Sequence, residues 1–322
     1  MARNCAAAVV RYRQRHRDCY RDCTPRCFRE GIGMSDVLII AHAERAEALA
    51  ASKRLVAWLE GKGHAVEMGS VEATAIGRPE LGVDEPIRAV PDLAVSIGGD
   101  GTMLRSFDLV AAAGVPVLGV NVGHLGYLTE FEPAQLTDMV AAALGGSLDV
   151  SERMMVSARV RDTGAHDVGA QDSETWTGLN EVVLEKRDPG HTVRLEVWLD
   201  GDVFATYAAD GLIVSTPTGS TAYSLSAGGA VVAPTHSSLQ VTPVAPHMLF
   251  DRSLLLPPDT EIGIRVISER PALAAVDGRS AGLLATGDEL VVTRAPYDAR
   301  FITAGGDSFH RVLKHKFGLK DR

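Results

Sequence analysis

The first half of the chain alternates short apolar runs with segments of helical spacing. Residues 36–40, Asp-Val-Leu-Ile-Ile, have the unbroken apolar character of buried parallel strands, and a helical repeat follows up to Gly61. Further strands are predicted at residues 64–68, 93–97 and 115–120, and further helices at residues 102–113 and 132–144. Alternating β and α units of this length predict a parallel, doubly wound sheet.

The pattern changes to a period of two after Gly145-Gly146. Residues 193–199 and 203–207 flank Asp200-Gly201, which is a hairpin signal. Other short strands are predicted at residues 239–244, 262–267, 273–276 and 290–293. We therefore predict an α/β N-terminal domain with a parallel doubly wound sheet, residues 34–146, and a β-rich, β-sandwich-like C-terminal domain, residues 147–295. The chain end, residues 296–322, is expected to pack back on the first domain.

The segment 1–33 differs from the rest of the chain in charge and in cysteine content. Its eight arginines against three acidic residues give a net charge of +5 within a chain of −9, so the remainder carries −14. Its four cysteines, Cys5, Cys19, Cys23 and Cys27, are the only ones in the sequence. We interpret residues 1–33 as a disordered extension or an over-long start; metal ligation by the cysteines and a transit peptide are the alternatives.

The remaining composition limits the partners and the compartment. An acidic body disfavours nucleic acid as a partner, and no apolar run approaches the roughly 18 residues of a membrane span. The lack of cysteine from residue 34 onward fits the reducing cytoplasm. We therefore expect a cytoplasmic protein that binds neither nucleic acid nor membranes.

Residues 98–102, Gly-Gly-Asp-Gly-Thr, have the pattern of a phosphate cradle between a strand and a helix. Glycines allow positive φ and let backbone N–H groups approach an anion, while a helix N-terminus adds a positive dipole. Asp100 places a carboxylate inside the cradle, which indicates a hydroxyl group or a metal ion beside the phosphates. The alternative is an ordinary β-to-α turn in which Asp100 or Thr102 caps the helix.

Two other polar segments are candidates for binding a nucleoside. Asn180 and Glu181 interrupt an apolar segment, and their amide and carboxylate groups suit a base or a ribose diol; a β-bulge or a solvent-facing strand end is the alternative. Residues 210–229 lead from an apolar strand into a Ser, Thr and Gly-rich turn around Tyr223, whose ring can stack on a base. The hydroxyl groups of this turn also suit a helix start near Thr221, which is compatible with binding.

The chain from about residue 36 to residue 320 resembles the bacterial NAD kinases. The resemblance rests on four motifs in order, at residues 98–105, 116–128, 180–181 and 210–229. The Gly-Gly-Asp-Gly-Thr motif alone is also similar to that of diacylglycerol and sphingosine kinases and of 6-phosphofructokinases. The four motifs together therefore carry the resemblance.

The resemblance implies a role for each matching residue. Asp100 would accept the proton of the 2′-hydroxyl on the adenosine ribose of NAD, while Asn180 and Glu181 would hold ribose hydroxyl and adenine groups. The other residues implied to bind the nucleotides are Gly98, Gly99, Gly101, Thr102, Arg105, His191, Ala208, Asp210, Thr221, Ala222, Tyr223, Ser224, Leu225 and Ser226. Arg279 would be a further contact, although Asp277-Gly278 before it also matches a hairpin turn.

The activity implied by the resemblance is phosphorylation of NAD by ATP with Mg²⁺ or another divalent cation, giving NADP and ADP. A carboxylate is a weak proton acceptor for a sugar hydroxyl, so Asp100 is expected to act mostly by orienting that hydroxyl or by helping to hold the metal. The partners expected are small-molecule nucleotides, bound at a cleft between the two domains, and further copies of the chain in a dimer or tetramer.

Two alternative functions remain open at this point. A lipid kinase of the diacylglycerol or sphingosine kinase type would share the cradle, but it leaves Asn180-Glu181 and the turn at Tyr223 unexplained. A non-catalytic NAD(P) sensor would retain the nucleotide pocket, and the intact Asp100 argues against it.

Overall fold

The computed structural model describes residues 34–83, 90–123, 126–161, 175–305 and 309–319. These residues form two compact units, with boundaries between Ser151 and Glu152 and between Ala299 and Arg300. The first unit joins the residues before Glu152 to the chain end from Arg300, and the second unit is Glu152–Ala299. The predictions made for residues 1–33 lie outside the described residues.

The bounds of the elements are as follows. The strands in the described residues are β1 (Asp36–Ala41), β2 (Ala65–Gly69), β3 (Gly82–Val83), β4 (Leu93–Gly98), β5 (Val117–Asn121), β6 (Asp149–Arg161), β7 (Thr175–Gly178), β8 (Glu181–Lys186), β9 (Val193–Leu199), β10 (Asp202–Ala209), β11 (Gly211–Ser215), β12 (Leu239–Val244), β13 (Leu254–Leu256), β14 (Ile262–Val266), β15 (Ala272–Val276), β16 (Arg279–Leu284) and β17 (Glu289–Thr303). The α-helices are α1 (Ala46–Gly61), α2 (Ser70–Ala75), α3 (Asp100–Val110), α4 (Leu136–Leu144), α5 (Tyr223–Ser226) and α6 (Phe309–Lys316), and 3₁₀ turns lie at Pro79–Leu81, Ala111–Ala113 and Thr218–Thr221.

The first unit contains the predicted parallel sheet. Its strand order is the end of β17, then β5, β4, β1, β2 and β3, and each neighbouring pair is parallel. Every residue of β4 is buried, as expected for a strand that is covered on both faces. Leu55 and Leu59 of α1 pack into the same core as Ile39 and Ile97 of the sheet. The apolar residues that recur at helical spacing in the sequence therefore form the face of α1 that covers the strands.

The second unit consists of two antiparallel sheets that share one apolar core. One sheet has the order β10-β9-β14-β17, and the other has the order β13-β12-β11-β8-β15-β16. Leu195 and Ile264 from the first sheet belong to one buried cluster with Leu184 and Leu212 from the second. The predicted fold class, an α/β part and a β-sandwich-like part, is confirmed.

Both predicted Asp-Gly turns are hairpin turns in the second unit. Asp200 and Gly201 have φ values of 51° and 90° between β9 and β10, and Asp277 and Gly278 have φ values of 47° and 73° between β15 and β16. Positive φ at both central residues matches the right-handed twist of the paired strands, and Asp and Gly tolerate it better than most residues. The local turn chemistry is therefore sufficient to predict these two connections.

Several predicted boundaries were wrong, including the following three. The helix after the cradle begins at Asp100 rather than at Thr102, and Gly99 is its N-cap without a side-chain hydrogen bond. The helix predicted from residue 132 begins at Leu136, because the backbone of Phe131 bonds to Gly119 and Asn121 beside β5. The strand predicted at residues 290–293 is part of β17, which continues to Thr303.

Helices long and apolar enough to cross a membrane do not occur among the residues that the structure describes.

Candidate functional site

The cradle joins the end of β4 to the start of α3. Gly98 ends the strand, and a Cβ atom added there would collide with the side chain of Thr102. None of Gly98, Gly99 and Gly101 has a positive φ. The expectation that these glycines serve a left-handed backbone was therefore wrong, and Gly98 is needed instead because Thr102 packs against it.

Asp100 is held in place by the segment that follows β5. Its Oδ2 atom accepts a hydrogen bond from the Tyr127 N–H at 2.9 Å, and its Oδ1 atom accepts one from the Leu128 N–H at 3.0 Å. A Cβ atom at Gly126 would collide with the carboxylate, so glycine permits this close approach. Both oxygens of Asp100 are thus oriented by backbone N–H groups of the protein.

Arg105 lies on the same helix and is fixed by a buried acid. Its Nη2 atom donates to the Ala41 carbonyl at 2.7 Å and also forms an ion pair with Glu72. Glu72 is on α2 and is only 4% exposed, so its charge is balanced mainly through this contact. Sequence reasoning missed Glu72, because a Glu on a short helix is usually solvated.

Asp100 and Arg105 line one cleft of the first unit, with a volume of about 800 Å³. The residues lining it are Ala41, His42, Ala43, Glu44, Arg45, Gly99, Asp100, Gly101, Thr102, Arg105, Gly126, Tyr127 and Lys316. Arg45, Arg105 and Lys316 bring three positive charges to it, against the carboxylates of Glu44 and Asp100. A cleft with this excess of positive charge and a positioned carboxylate is suited to a phosphate chain beside a hydroxyl group.

The second unit holds Asn180 and Glu181 at the start of β8. The Asp277 carboxylate accepts the backbone N–H groups of Leu179, Asn180 and Glu181 at 2.6, 2.9 and 3.0 Å. Burial raises the pKa of the Asp277 carboxyl, although these three hydrogen bonds act in the opposite direction. The hairpin turn at Asp277 therefore anchors the segment that carries Asn180 and Glu181.

Glu181 is a buried acid that retains a polar atom without a partner in the described residues. It is 8% exposed, and its Oε2 atom is buried without a hydrogen bond there. Burial, together with the nearby Asp277 carboxylate, raises the pKa of Glu181 to about 8, and a hydrogen bond from the Tyr223 backbone partly opposes this. At neutral pH Glu181 is mostly protonated, so it can donate as well as accept a hydrogen bond.

The raised pKa of Glu181 predicts that stability falls as pH rises. The folded protein keeps this proton up to about pH 8, whereas the unfolded chain releases it near the ordinary value of 4.5. The contribution is therefore complete below pH 4.5 and is lost as the pH rises through about 8. We expect Glu181→Gln to flatten the fall in melting temperature over this range, as measured by thermal unfolding at several pH values. An equally steep fall in the variant would contradict the assignment.

The turn at Tyr223 combines an exposed ring with a buried framework. Tyr223 begins α5 and is 38% exposed, whereas Ser224 is buried and bonds to Thr242 at 3.0 Å and to Gln240 at 2.5 Å. Burial raises the pKa of the Tyr223 hydroxyl, as do the carboxylates of Glu185, Asp210 and Glu181. The hydroxyl group of Tyr223 therefore lies near these three acids, on a turn that its buried neighbour holds in place.

The remaining residues predicted to bind nucleotides lie at different places in the second unit. Asp210 pairs with Lys186 at 2.7 Å, and the Ala208 carbonyl accepts the His247 N–H at 2.7 Å. Arg279 follows the anchoring turn and donates to the Thr177 carbonyl at 2.9 Å. His191 is exposed between β8 and β9, and none of the hydrogen bonds described joins it to the other predicted residues. Half-buried positions in the turn are Thr221, Ala222 and Leu225, and Ser226 is exposed.

In the described parts of the chain, the protein's own side chains do not form a complete metal site. No three His, Cys, Asp or Glu side chains there are close enough to form such a site. Asp100 nevertheless fits Mg²⁺, because this ion is commonly held by one or two carboxylates together with substrate phosphates. Each oxygen of Asp100 accepts one N–H and keeps a further lone pair.

In a comparison with known proteins, this chain matches both domains of one protein family. Residues 37–147 match the ATP-NAD kinase N-terminal domain, and residues 179–304 match the ATP-NAD kinase C-terminal domain. The NAD kinase of Moorella thermoacetica is 38% identical over 286 residues, covering 88% of this chain and 89% of that protein. The NAD kinase of Symbiobacterium thermophilum is 39% identical over 285 residues, covering 88% of this chain and 99% of that protein.

Solved structures share the fold. Yeast NADH kinase complexed with NADH matches with a TM-score of 0.81 and 24% identity, over 90% of this chain and 89% of that one. An NAD kinase from Archaeoglobus fulgidus in complex with ATP matches with a TM-score of 0.63 and 22% identity, over 89% of this chain and 98% of that one. With both family domains matched and relatives similar over most of their length, the chain belongs to the ATP-NAD kinase family, as its motifs indicated.

Proposed function

We propose that this protein transfers the γ-phosphoryl group of ATP to the 2′-hydroxyl of the adenosine ribose of NAD, giving NADP and ADP. The observation that carries the proposal is the position of Asp100, which two backbone N–H groups orient in a cleft containing Arg45, Arg105 and Lys316. A kinase requires both elements, a group that orients the acceptor hydroxyl and positive charge for the phosphates.

Asp100 orients the acceptor hydroxyl and receives its proton. The 2′-oxygen forms a bond to the γ-phosphorus, the bond from that phosphorus to the β–γ bridging oxygen breaks, and ADP leaves with the electron pair. Mg²⁺, when bound through Asp100 and the phosphates, would neutralise charge on the transferred group. Positioning supplies most of the acceleration, because phosphoryl transfer needs little covalent assistance.

We assign binding of the nucleotides to the following residues of each unit. Gly98, Gly99, Gly101 and Thr102 form the cradle, and Arg105, held by Glu72, contributes a guanidinium directed by its two protein contacts. In the second unit we assign adenosine recognition to Asn180, Glu181, Asp210, Arg279 and the turn at residues 221–226. His191 and Ala208 are assigned to the dinucleotide through the sequence resemblance.

A direct assay tests the proposal. Purified protein is incubated with ATP, Mg²⁺ and NAD, and NADP is measured with an NADP-specific dehydrogenase. We expect NADP to form in proportion to ADP. Nucleotide binding without NADP would favour the sensor, and phosphorylation of diacylglycerol or sphingosine without NADP would favour the lipid kinase.

The compartment and the oligomeric state are further parts of the proposal. We assign the protein to the cytoplasm, and the cysteine-free sequence from residue 34 supports a reducing compartment. We also expect a dimer or tetramer, which size-exclusion chromatography with light scattering measures directly.

Replacing Tyr223 by Ala is expected to weaken NAD binding more than ATP binding. Tyr223 is 38% exposed, and its backbone forms a hydrogen bond with Glu181. Stacking of an aromatic ring on a base contributes about 1–3 kcal/mol, so the KM for NAD should rise between several-fold and about 100-fold. Steady-state kinetics with each substrate varied in turn measure this. A rise in the KM for ATP alone would mean that the ring serves the other nucleotide.

A further inference from the structure

The C-terminal helix α6 brings a cation to the cleft that contains Asp100. It spans Phe309–Lys316 and has Lys314, His315 and Lys316 in its last turn. The residues matched by the two family models end at 304, so α6 lies beyond them. Of its last three residues, only Lys316 lines the cleft, whereas Lys314 and His315 line a separate depression with Gly318 and Leu319.

Lys316 lies over the residue that holds Asp100. Its Nζ atom is 4.4 Å from the centre of the Tyr127 ring, within the range of a cation–π contact. The backbone N–H of Tyr127 donates to Asp100 at 2.9 Å. Tyr127 thus contacts the ammonium group through its ring and the Asp100 carboxylate through its backbone.

The three cationic side chains of the cleft differ in the geometry of their hydrogen-bond donors. Arg45 donates to the Val122 carbonyl, and Arg105 donates to Ala41 and Glu72, so both planar guanidinium groups have directions set by the protein. An ammonium group is instead a compact point charge with three donors on a flexible stem. Lys316 therefore adds to the cleft a point charge of the kind that binds phosphate oxygens.

We propose that Lys316 binds the phosphate chain of a nucleotide substrate, so that α6 contributes to the affinity of the cleft for that substrate. The proposal rests on the proposed function, since it assigns a ligand to the same cleft. Stabilisation of the C-terminus of α6 is the competing explanation for a basic residue here, because cations favour that end of a helix. It applies equally to Lys314, which does not line the cleft.

The test compares three variants of the full chain. Lys316→Gln removes the charge, Lys316→Arg keeps it, and Lys314→Gln removes an equal charge from the same turn as the matched control. We expect Lys316→Gln to raise the KM of the substrate whose phosphates it contacts about five- to twentyfold, with kcat changed less than about twofold. Lys316→Arg should restore most of the affinity, and Lys314→Gln should resemble the wild type.

Varying each substrate separately identifies the phosphate chain. A rise in the KM for ATP assigns Lys316 to the triphosphate, and a rise in the KM for NAD assigns it to the pyrophosphate. The inference would be overturned if Lys316→Gln and Lys314→Gln had the same KM for ATP and also the same KM for NAD. Calorimetric titration with ATP and with NAD, without turnover, distinguishes this failure from a failure of the proposed function, because it reports binding even if the wild type makes no NADP.

Discussion

Replacing Asp100 by Asn is expected to lower kcat by about 100-fold or more, the usual cost of losing an acid–base or charge-positioning group. Both carboxylate oxygens accept backbone N–H groups, from Tyr127 and Leu128. The carboxamide can accept only one of them with its oxygen and turns an NH₂ group toward the other. The variant is therefore expected to loosen the Tyr127 segment as well as to remove the charge that orients the hydroxyl.

Asp108→Asn is the matched control for this variant, because Asp108 is on the same helix but does not line the cleft. Single-turnover and steady-state measurements of NADP formation give kcat, and circular dichroism checks the fold. Activity of Asp100→Asn close to that of the wild type would remove Asp100 from the mechanism.

Replacing Asp277 by Ala is expected to destabilise the second unit by roughly 3 kcal/mol or more. The change leaves the N–H groups of Leu179, Asn180 and Glu181 without their acceptor, and each buried donor without a partner costs about 1–3 kcal/mol. It also places Ala at a φ of 47°. Hydrogen exchange at these three amides and the thermal unfolding midpoint both report the loss.

Asp200→Ala separates the two causes of that destabilisation. Asp200 also precedes a glycine in a hairpin turn and has a φ of 51°, but its carboxylate accepts a single exposed N–H, that of Glu261. The backbone strain is therefore similar, and a cost of about 1–2 kcal/mol is expected. Equal losses in the two variants would show that the three buried hydrogen bonds contribute little.

Much of the fold follows from local sequence patterns. The strand at residues 93–97 and the Asp200-Gly201 turn could be predicted because their signals lie within a few neighbouring residues. The length of β17 could not be predicted in this way, because the apolar pattern stops before Pro296. The end of the strand depends on a pairing with β5, which is distant in the chain: Phe301 pairs with Val117.

The residues of the candidate site differ in how visible they are in the sequence. Asp100 and Glu181 belong to short polar motifs within apolar surroundings, which distinguish them from solvated residues. Glu72 and Lys316 have no such context, since charged residues on helices are usually solvated. The contacts of Glu72 with Arg105, 33 residues later, and of Lys316 with Tyr127 connect these two residues to the cleft.

The return of β17 to the first unit has a consequence for protein synthesis. Phe301 pairs with Val117 of β5 and contacts the ring of Phe107, with 4.4 Å between the ring centres. Until the ribosome has added the roughly 180 residues between Asn121 and Phe301, which takes about 9–36 s at ordinary rates, this edge of β5 lacks that partner. The second unit ends at Ala299. Translation therefore finishes the later unit before it delivers the strand that completes the earlier one, and in that interval this edge of β5 is accessible to chaperones that cover strand edges.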